Sequence, residues 1–243
     1  MQALERSMKI AEILSDAEQG GMSISELSGR SGLALSTMHR ILQGMARQRM
    51  VEQDEHSKLY RLGPVWMEYG LRLYDSMDYV TKIRPELEQL AREVKESVYL
   101  SRPSGNEAIV MERIDSEENP IRINDPLGIR IPLHIGAANK AILAAMPADR
   151  ARRIVENLVP EEKRDEFYIM LQQIRETGFA ESHGERTPGT ASVAVAVKDG
   201  LGEVIGAVSI GFLDYELEEE RLAYLSEKVK EAGDRIGRKL GAG

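Results

Sequence analysis

Polar residues of the kind that read base edges in DNA are grouped in one short segment. Ser36 and Thr37 carry small hydroxyls, and His39 and Arg40 follow them closely. Such side chains offer donors and acceptors at short reach, which suits the first turns of a helix that enters the major groove. Plain surface roles for His39 and Arg40 are the alternative. The same helix and the hairpin after it complete the predicted DNA-binding set: Gln43, Arg47, Lys58 and Arg61.

Small residues in the second half suit the binding of a small acid. The segment 131–141 runs from a turn into a predicted helix, whose first backbone N–H groups are free to bind a carboxylate. Ser192 and Ser209 lie on apolar strands, where hydroxyls could orient a ligand in an apolar pocket. An ordinary helix start, and hydroxyls bonded to the neighbouring backbone, would explain the same residues without a ligand.

The histidines and carboxylates give little support for catalysis. His134, His183 and Glu185 could form a metal site or an acid–base set. However, the four histidines show neither His-x-x-x-His nor Glu-x-x-His spacing, and Glu185 fits a loop-fixing carboxylate better. The chain also lacks a Gly-x-Ser-x-Gly elbow and a phosphate-binding loop. We therefore expect no catalytic residue, no metal and no cofactor.

Composition and charge limit the classes of function that these residues could serve. The 243 residues carry 32 Lys and Arg against 40 Asp and Glu, a net charge of -8, which argues against a protein that wraps nucleic acid over its whole surface. Positive charge is nevertheless concentrated in 27–63, with six basic and three acidic residues. The absence of cysteine suits a reducing cytoplasm. No apolar run reaches the roughly 18 residues of a membrane span. We expect a cytoplasmic protein that does not enter a membrane.

The first 64 residues are predicted to form three helices and a hairpin. Ser23 and Glu26 have the form of a capping box, Gly32 suits the turn that follows, and Ser36 is predicted to cap the third helix. Apolar periodicity predicts helices over 3–16, from 24 for two turns and over 37–48, with strands over 51–53 and 58–62. This order is typical of a winged helix-turn-helix. A helical interaction domain is the alternative.

A predicted helix at 65–76 is unusually apolar, and we interpret 65–78 as a linker between a domain at 1–64 and another at 79–243. It carries more apolar residues than one buried stripe requires: Trp66, Met67, Tyr69, Leu71, Leu73 and Tyr74. We expect some of them to pack against the same helix of a second chain, which predicts a homodimer. Packing onto the chain's own winged domain is the alternative.

The second domain is predicted to be α+β, with an antiparallel sheet flanked by helices. Predicted strands cover 98–103, 107–115, 120–124, 190–198 and 203–213. Predicted helices cover 79–96, 137–146, 148–157, 161–177 and 217–239.

Several motifs resemble the IclR family of bacterial transcriptional regulators over nearly the whole chain. In the first domain the matching segments are Gly32-Leu33, Ser36-Thr37, His39-Arg40 and Tyr60-Arg61-Leu62-Gly63. Ala34-Leu35 stands where the family commonly has Pro-Lys, so a phosphate-reaching lysine is missing. The resemblance implies a regulator, and we expect a repressor, that binds double-stranded operator DNA.

The second half resembles the family's GAF-like effector domain, through Leu133-His134 to Lys140-Ala141 and through Gly178-Phe179-Ala180 and Glu185. The resemblance implies an effector pocket lined by Ile131, Ala137, Ala138, Ser182, Ser192, Ser209 and Gly211. It also implies a small-molecule effector, an organic acid, and dimers that pair into tetramers. Ser182, Ser192 and Gly211 replace commoner polar residues, which favours an acid other than glyoxylate or pyruvate. A small-molecule-binding metabolic enzyme with a helical dimerisation domain is the alternative function.

Overall fold

The computed structural model of the chain describes residues 2–17, 20–119, 123, 125–215 and 218–241. Its contacts divide the chain into two compact units, Met1–Asp78 and Tyr79–Gly243. Each unit is built around a hydrophobic core of its own. None of the helices in these ranges has the length and the apolar composition that crossing a bilayer requires.

The first unit is a winged helix-turn-helix, as the sequence predicts. Its elements are α1 (Gln2–Ser15), α2 (Ile24–Ser31), α3 (Leu35–Arg47), β1 (Val51–Gln53), β2 (Tyr60–Leu62) and α4 (Val65–Asp75). The two strands pair antiparallel, with Val51 opposite Leu62. A single bridge joins Met22 to Tyr60, so the segment before α2 lies against the hairpin. The core places Ile10, Leu27, Met38 and Leu42 at 1% exposure or less.

The turn between α2 and α3 forms largely as predicted. Ser23 and Glu26 make a full capping box, in which the Ser23 N–H donates to the Glu26 carboxylate at 2.8 Å. Gly32 ends α2 with φ of 72°, a left-handed conformation that glycine adopts without a Cβ penalty. The helix axes that position the DNA-binding candidates are therefore set by local capping as well as by the core.

Two local predictions are wrong. Ser36 does not cap α3: the N-cap is Ala34, and the N–H of Met38 donates to the Ala34 carbonyl at 2.9 Å. The backbone is already helical at Leu35, so Ser36 lies inside the first turn with an exposed side chain. The apolar period of the segment 3–16 includes Met8 and predicts that it faces the core, yet Met8 is 47% exposed because the buried side of α1 runs through Ile10 and Leu14 instead.

The second unit is α+β with one antiparallel sheet and flanking helices, which confirms the predicted class. The strands are β3 (Ser97–Ser104), β4 (Glu107–Ile114), β5 (Arg130–Pro132), β6 (Ala180–His183), β7 (Thr190–Lys198) and β8 (Val204–Leu213). The helices are α5 (Asp78–Val94), α6 (Ala137–Ala145), α7 (Ala148–Leu158), α8 (Arg164–Thr177) and α9 (Glu219–Lys239), with a short 3-10 turn at Glu161–Lys163.

The sheet has the order β5-β4-β3-β8-β7-β6, and every neighbouring pair is antiparallel. The sequence analysis missed both edge strands. β5 and β6 have three and four residues, too few to show an alternating pattern. Of the strand predicted at 120–124, residues 120–122 and 124 lie outside the described residues.

The sheet is covered on both faces. Ala194 and Val195 are adjacent on β7, so their side chains point to opposite faces. Ala194 belongs to the core around α6, whereas a Cβ on Gly233 of α9 would lie 2.6 Å from a Val195 methyl. α6 therefore packs on one face and α9 on the other. The small side chains of α6 allow it to approach the sheet closely, which positions its N-terminus over the strands.

Candidate nucleic-acid interface and ligand cavity

α3 presents one polar stripe to solvent. Steps of three and four residues lie on one helix face, and the stripe so formed is exposed throughout: Ser36, Arg40, Gln43 and Arg47. His39 is exposed beside the stripe, and Thr37 is half-buried at the edge nearer the core. The opposite side, through Met38, Leu42 and Met45, is buried. The α3 members of the predicted DNA-binding set thus lie on or beside one accessible face.

The hairpin forms a wing with a fixed tip. The Asp54 carboxylate accepts hydrogen bonds from the N–H groups of Ser57 and His56, and these bonds, led by that of Ser57, lower the pKa of Asp54. Lys58 follows with φ of 59° and an exposed side chain. Arg61 is exposed but lies 3.5 Å from Glu52. Lys58 is therefore the more available cation on the wing.

α3 carries two cations that have no carboxylate partner. Among the described residues, Arg40 and Arg47 have no carboxylate within salt-bridge distance, whereas Arg49 pairs with Glu68 at 2.9 Å. The Arg47 Nε instead donates to the Gln43 carbonyl at 3.3 Å. Cations without carboxylate partners remain available for phosphates, which supply much of the affinity for DNA.

The second unit contains a cavity between the start of α6 and the sheet. Its volume is about 90 Å³. It brings together all seven residues of the predicted effector set, which come from five elements: Ile131, Ala137, Ala138, Ser182, Ser192, Ser209 and Gly211. Their role in binding remains a prediction, but their convergence on one space is a property of the fold.

Strand register explains this convergence. Ser182 on β6 pairs with Ser192 on β7, and Ser192 pairs with Gly211 on β8. Ser209, two residues before Gly211, is opposite Tyr99 on β3. Opposed residues of neighbouring strands share a face of the sheet. The small polar residues thus form a continuous floor beneath α6.

Several polar groups in the cavity have no partner within the described part of the chain. The backbone N–H groups of Ala137, Ala138 and Asn139 have no acceptor there, as the first turn of a helix leaves them. The hydroxyls of Ser182, Ser192 and Ser209 likewise make no hydrogen bond within the described residues, although Ser182 and Ser209 are only 7% and 6% exposed. Polar groups without partners therefore lie on two sides of the cavity, at the start of α6 and on the sheet.

The charged residues around the cavity are paired. The Glu185 carboxylate accepts from the Gly136 N–H at 2.8 Å and pairs with Lys140, whose side chain is 6% exposed. This contact fastens the loop after β6 to α6 and confirms the predicted loop-fixing role of Glu185. On the other side, Arg186 lies 2.8 Å from Asp125. The same loop is therefore held at both sides of the cavity.

Two family models match the chain. The model of the IclR helix-turn-helix domain matches residues 3–55, and the model "Bacterial transcriptional regulator IclR C-terminal" matches residues 72–238. The second match alone covers more than half of the chain. The chain belongs to the IclR family. It is a helix-turn-helix transcriptional regulator.

Relatives of this IclR regulator support the assignment. The transcriptional regulator KdgR of Escherichia coli (strain K12) is 30% identical over 233 residues, covering 92% of this chain and 88% of KdgR. The transcriptional repressor AllR of the same strain is 28% identical over 247 residues, covering 99% and 90%. A crystal structure of an IclR homolog from Microbacterium hydrocarbonoxydans, complexed with 4-hydroxybenzoate, superposes with a TM-score of 0.81 at 20% identity over 99% of this chain and 100% of that one. The family and these relatives are regulators, which sets aside the alternative of a metabolic enzyme.

Sequence reasoning missed two residues that shape the cavity of this IclR regulator. The buried amide of Asn139 donates to the carbonyls of Ile131, Pro132 and Ile135, so it fixes the turn before α6. Burial raises the pKa of Tyr99 to about 12, so its hydroxyl stays protonated, and it donates to the Ile123 carbonyl. A polar residue in a run of small ones was the only sequence signal for Asn139. Tyr99 gave none.

The histidines have separate surroundings. His183 Nδ1 lies 3.1 Å from Asp214, whereas burial lowers the pKa of His134, whose Nδ1 has no partner within the described residues. In the portion of the chain that the structure describes, no three His, Asp or Glu side chains are arranged to hold a metal ion.

Proposed function

We propose that this regulator is a cytoplasmic repressor that reads a pseudo-palindromic operator with α3 and the wing and releases it when a small organic acid occupies the cavity. Three observations support this: the exposed polar stripe on α3, the cavity of the second unit, and the similarity to AllR, a transcriptional repressor. A ligand can shift operator affinity only through its different affinity for the two states of the protein.

The set of unpartnered polar groups carries the effector part of the proposal. Polar groups that line a cavity and make no hydrogen bond to the protein are available to orient a ligand. Here three N–H groups at a helix start and three serine hydroxyls face one space. A carboxylate at the N–H groups of Ala137 and Ala138, with a hydroxyl or carbonyl near Ser209, would satisfy both sets. The carboxylate-bearing ligand named for the structural relative is consistent with this class.

The operator part requires two copies. One α3 with few available cations makes few phosphate contacts and reads few bases, so paired modules at fixed spacing are needed. α4 supplies an apolar surface for the pairing, since Met67, Tyr69, Leu71 and Leu73 are each 61–64% exposed. Trp66 instead packs on its own unit and donates to the Met50 carbonyl at 2.7 Å. We propose a homodimer through α4 that pairs into a tetramer, as the family resemblance implies.

Selection of bound genomic fragments tests the proposal directly. The full chain is incubated with sheared DNA of its source genome, and recovered fragments are titrated by fluorescence anisotropy at several salt concentrations. We expect an inverted-repeat sequence, affinity that falls with salt, and release of the fragment by small organic acids. Equal affinity for every fragment would contradict the operator assignment. Failure of every acid to change the affinity would contradict the effector assignment.

A further inference from the structure

Among the described residues, the charged side chains around the cavity are paired with one another. Asp125, Glu185 and Arg186 line it, and Lys140 lies behind Glu185. Each cation has a carboxylate partner: Arg186 is 2.8 Å from Asp125, and Lys140 is paired with Glu185. The cavity therefore offers an incoming anion no unpaired side-chain cation among the described residues.

The remaining attraction for an anion is the start of α6. A helix N-terminus behaves as about half a positive charge, and its free N–H groups point outwards. Ala137, Ala138 and Asn139 provide these groups. This suits one carboxylate. A second acidic group on the same ligand would meet, among the described residues, only cations that a carboxylate already neutralises, and a charge buried without a partner is costly.

The Asp125–Arg186 pair is held firmly enough to act in this way. The two side chains are 23% and 30% exposed, so water screens the pair less than it screens a surface pair. The backbone carbonyl of Asp125 also accepts a hydrogen bond from Arg113 at 3.3 Å. Arg186 adjoins Glu185, which is bound to α6. Both members are therefore anchored to separate parts of the fold.

We infer that Asp125 determines the charge class of the effector: by neutralising Arg186 it makes the cavity a site for small monocarboxylates and excludes dicarboxylates and phosphate esters. This inference rests on the proposed effector site. The three serine hydroxyls favour a monocarboxylate with one further hydroxyl or carbonyl group.

Matched ligand pairs test the inference on the full-length protein by isothermal titration calorimetry. Lactate is compared with malate, and glycerate with 3-phosphoglycerate, because each pair differs by one acidic group. We expect each monocarboxylate to bind more tightly than its partner by roughly tenfold or more, because the partner's second acidic group would lose its water without gaining a free cation. Malate binding as tightly as lactate would overturn the inference and leave the effector site in place. Failure of all four probes to bind would overturn the proposed acid site and the inference together.

A charge-removing variant tests the role of Asp125 itself. Asp125→Asn leaves Arg186 without its partner, so we expect malate affinity to rise by roughly tenfold relative to lactate. Adding Arg186→Gln is expected to abolish that rise, and Asp149→Asn on α7, an exposed aspartate, is the matched control. Circular dichroism verifies the fold of each variant. An unchanged lactate-to-malate ratio in folded Asp125→Asn would refute the assignment.

Discussion

Arg40 is the single side chain whose exposure best matches a contact with DNA. It lies in the centre of the α3 stripe, and none of the described carboxylates pairs with it. A charged side chain held by no internal partner loses little when it moves to a base or a phosphate. We therefore expect it to carry more binding free energy than Arg61, whose charge Glu52 already offsets.

Arg40→Ala is expected to weaken operator binding by about 1–3 kcal/mol if the guanidinium reads a base edge. Fluorescence anisotropy with a recovered genomic fragment measures the change. Arg152→Ala on α7 removes the same charge from an exposed site of the second unit and serves as the control. Equal affinities of wild type and Arg40→Ala would remove Arg40 from the interface.

Substitution of Ser209 tests whether the cavity binds the effector. Ser209 is only 6% exposed and its hydroxyl has no partner within the described residues, so Ser209→Ala removes no internal hydrogen bond. We expect operator binding without effector to stay unchanged. Effector binding should weaken by about 0.5–1.5 kcal/mol, so that a higher effector concentration is needed for half-release of the operator. Anisotropy titrations with and without the acid separate the two effects. Loss of DNA binding without effector would instead show a structural role.

At the level of elements, the end of α2 determines how α3 is presented. Gly32 takes a left-handed conformation, and the space around it is open, so a side chain there meets only backbone strain. Gly29, three residues earlier, is inside α2 with equally open surroundings and an ordinary φ. Substitution by alanine at these two positions should therefore change the free energy of unfolding in opposite directions.

Gly32→Ala is expected to lower the free energy of unfolding by roughly 1–2 kcal/mol, because the left-handed conformation penalises a Cβ. Gly29→Ala is expected to raise it by about 0.5–1 kcal/mol, through helix propensity. Urea denaturation followed by circular dichroism measures both. A stabilised Gly32→Ala protein would show that the turn conformation is not required.

α5 and α9 are joined by a charge cluster centred on a buried carboxylate. Glu86 has a side chain only 9% exposed and lies 2.6 Å from Lys239 and 2.7 Å from Arg235. Hydrogen bonds from Lys239 and then Arg235 hold the pKa of Glu86 below its ordinary value of 4.5. Because the folded-state pKa is the lower one, this stabilisation is present above pH 4.5 and is lost as the pH falls through the folded-state pKa.

Glu86→Gln should reveal how far this stabilisation depends on pH. We expect the free energy of unfolding to fall by roughly 1–2 kcal/mol near neutral pH. This is less than a fully buried charged hydrogen bond would give, because Lys239 is 44% exposed. The difference between the two proteins should shrink on acidification below pH 4.5. Urea titrations at several pH values measure it. A difference that stays constant down to the acid transition would contradict the assigned cause.

For the molecule as a whole, the proposed pairing of copies through α4 decides how two α3 helices meet one operator. Leu71→Glu places a charge on this apolar surface and is expected to raise the dimer dissociation constant and to weaken operator binding with it. Leu201→Glu introduces the same charge at a turn between β7 and β8 that is 89% exposed. Sedimentation velocity compares the two variants. An unaffected dimer in Leu71→Glu would exclude α4 as the interface.

The sequence by itself determined the elements whose information is local. Capping at Ser23 and the apolar period of α3 predicted the helix-turn-helix, because caps and one-sided burial are set within a few residues of chain. In α5 the apolar residues at helical spacing are likewise buried: Val80, Ile83, Leu87, Leu90 and Val94. The seven predicted pocket residues came from family resemblance, and nothing in their spacing could have brought them together.

Features that depend on contacts between distant segments were decided only by the tertiary structure. The partners Asp125–Arg186 and Lys140–Glu185 are separated by dozens of residues, and the short edge strands β5 and β6 are specified by their neighbours in the sheet. Burial then decides which polar groups lack partners, as for Ser209. Such contacts exist only once the chain has closed long loops, so no pattern within a single segment encodes them.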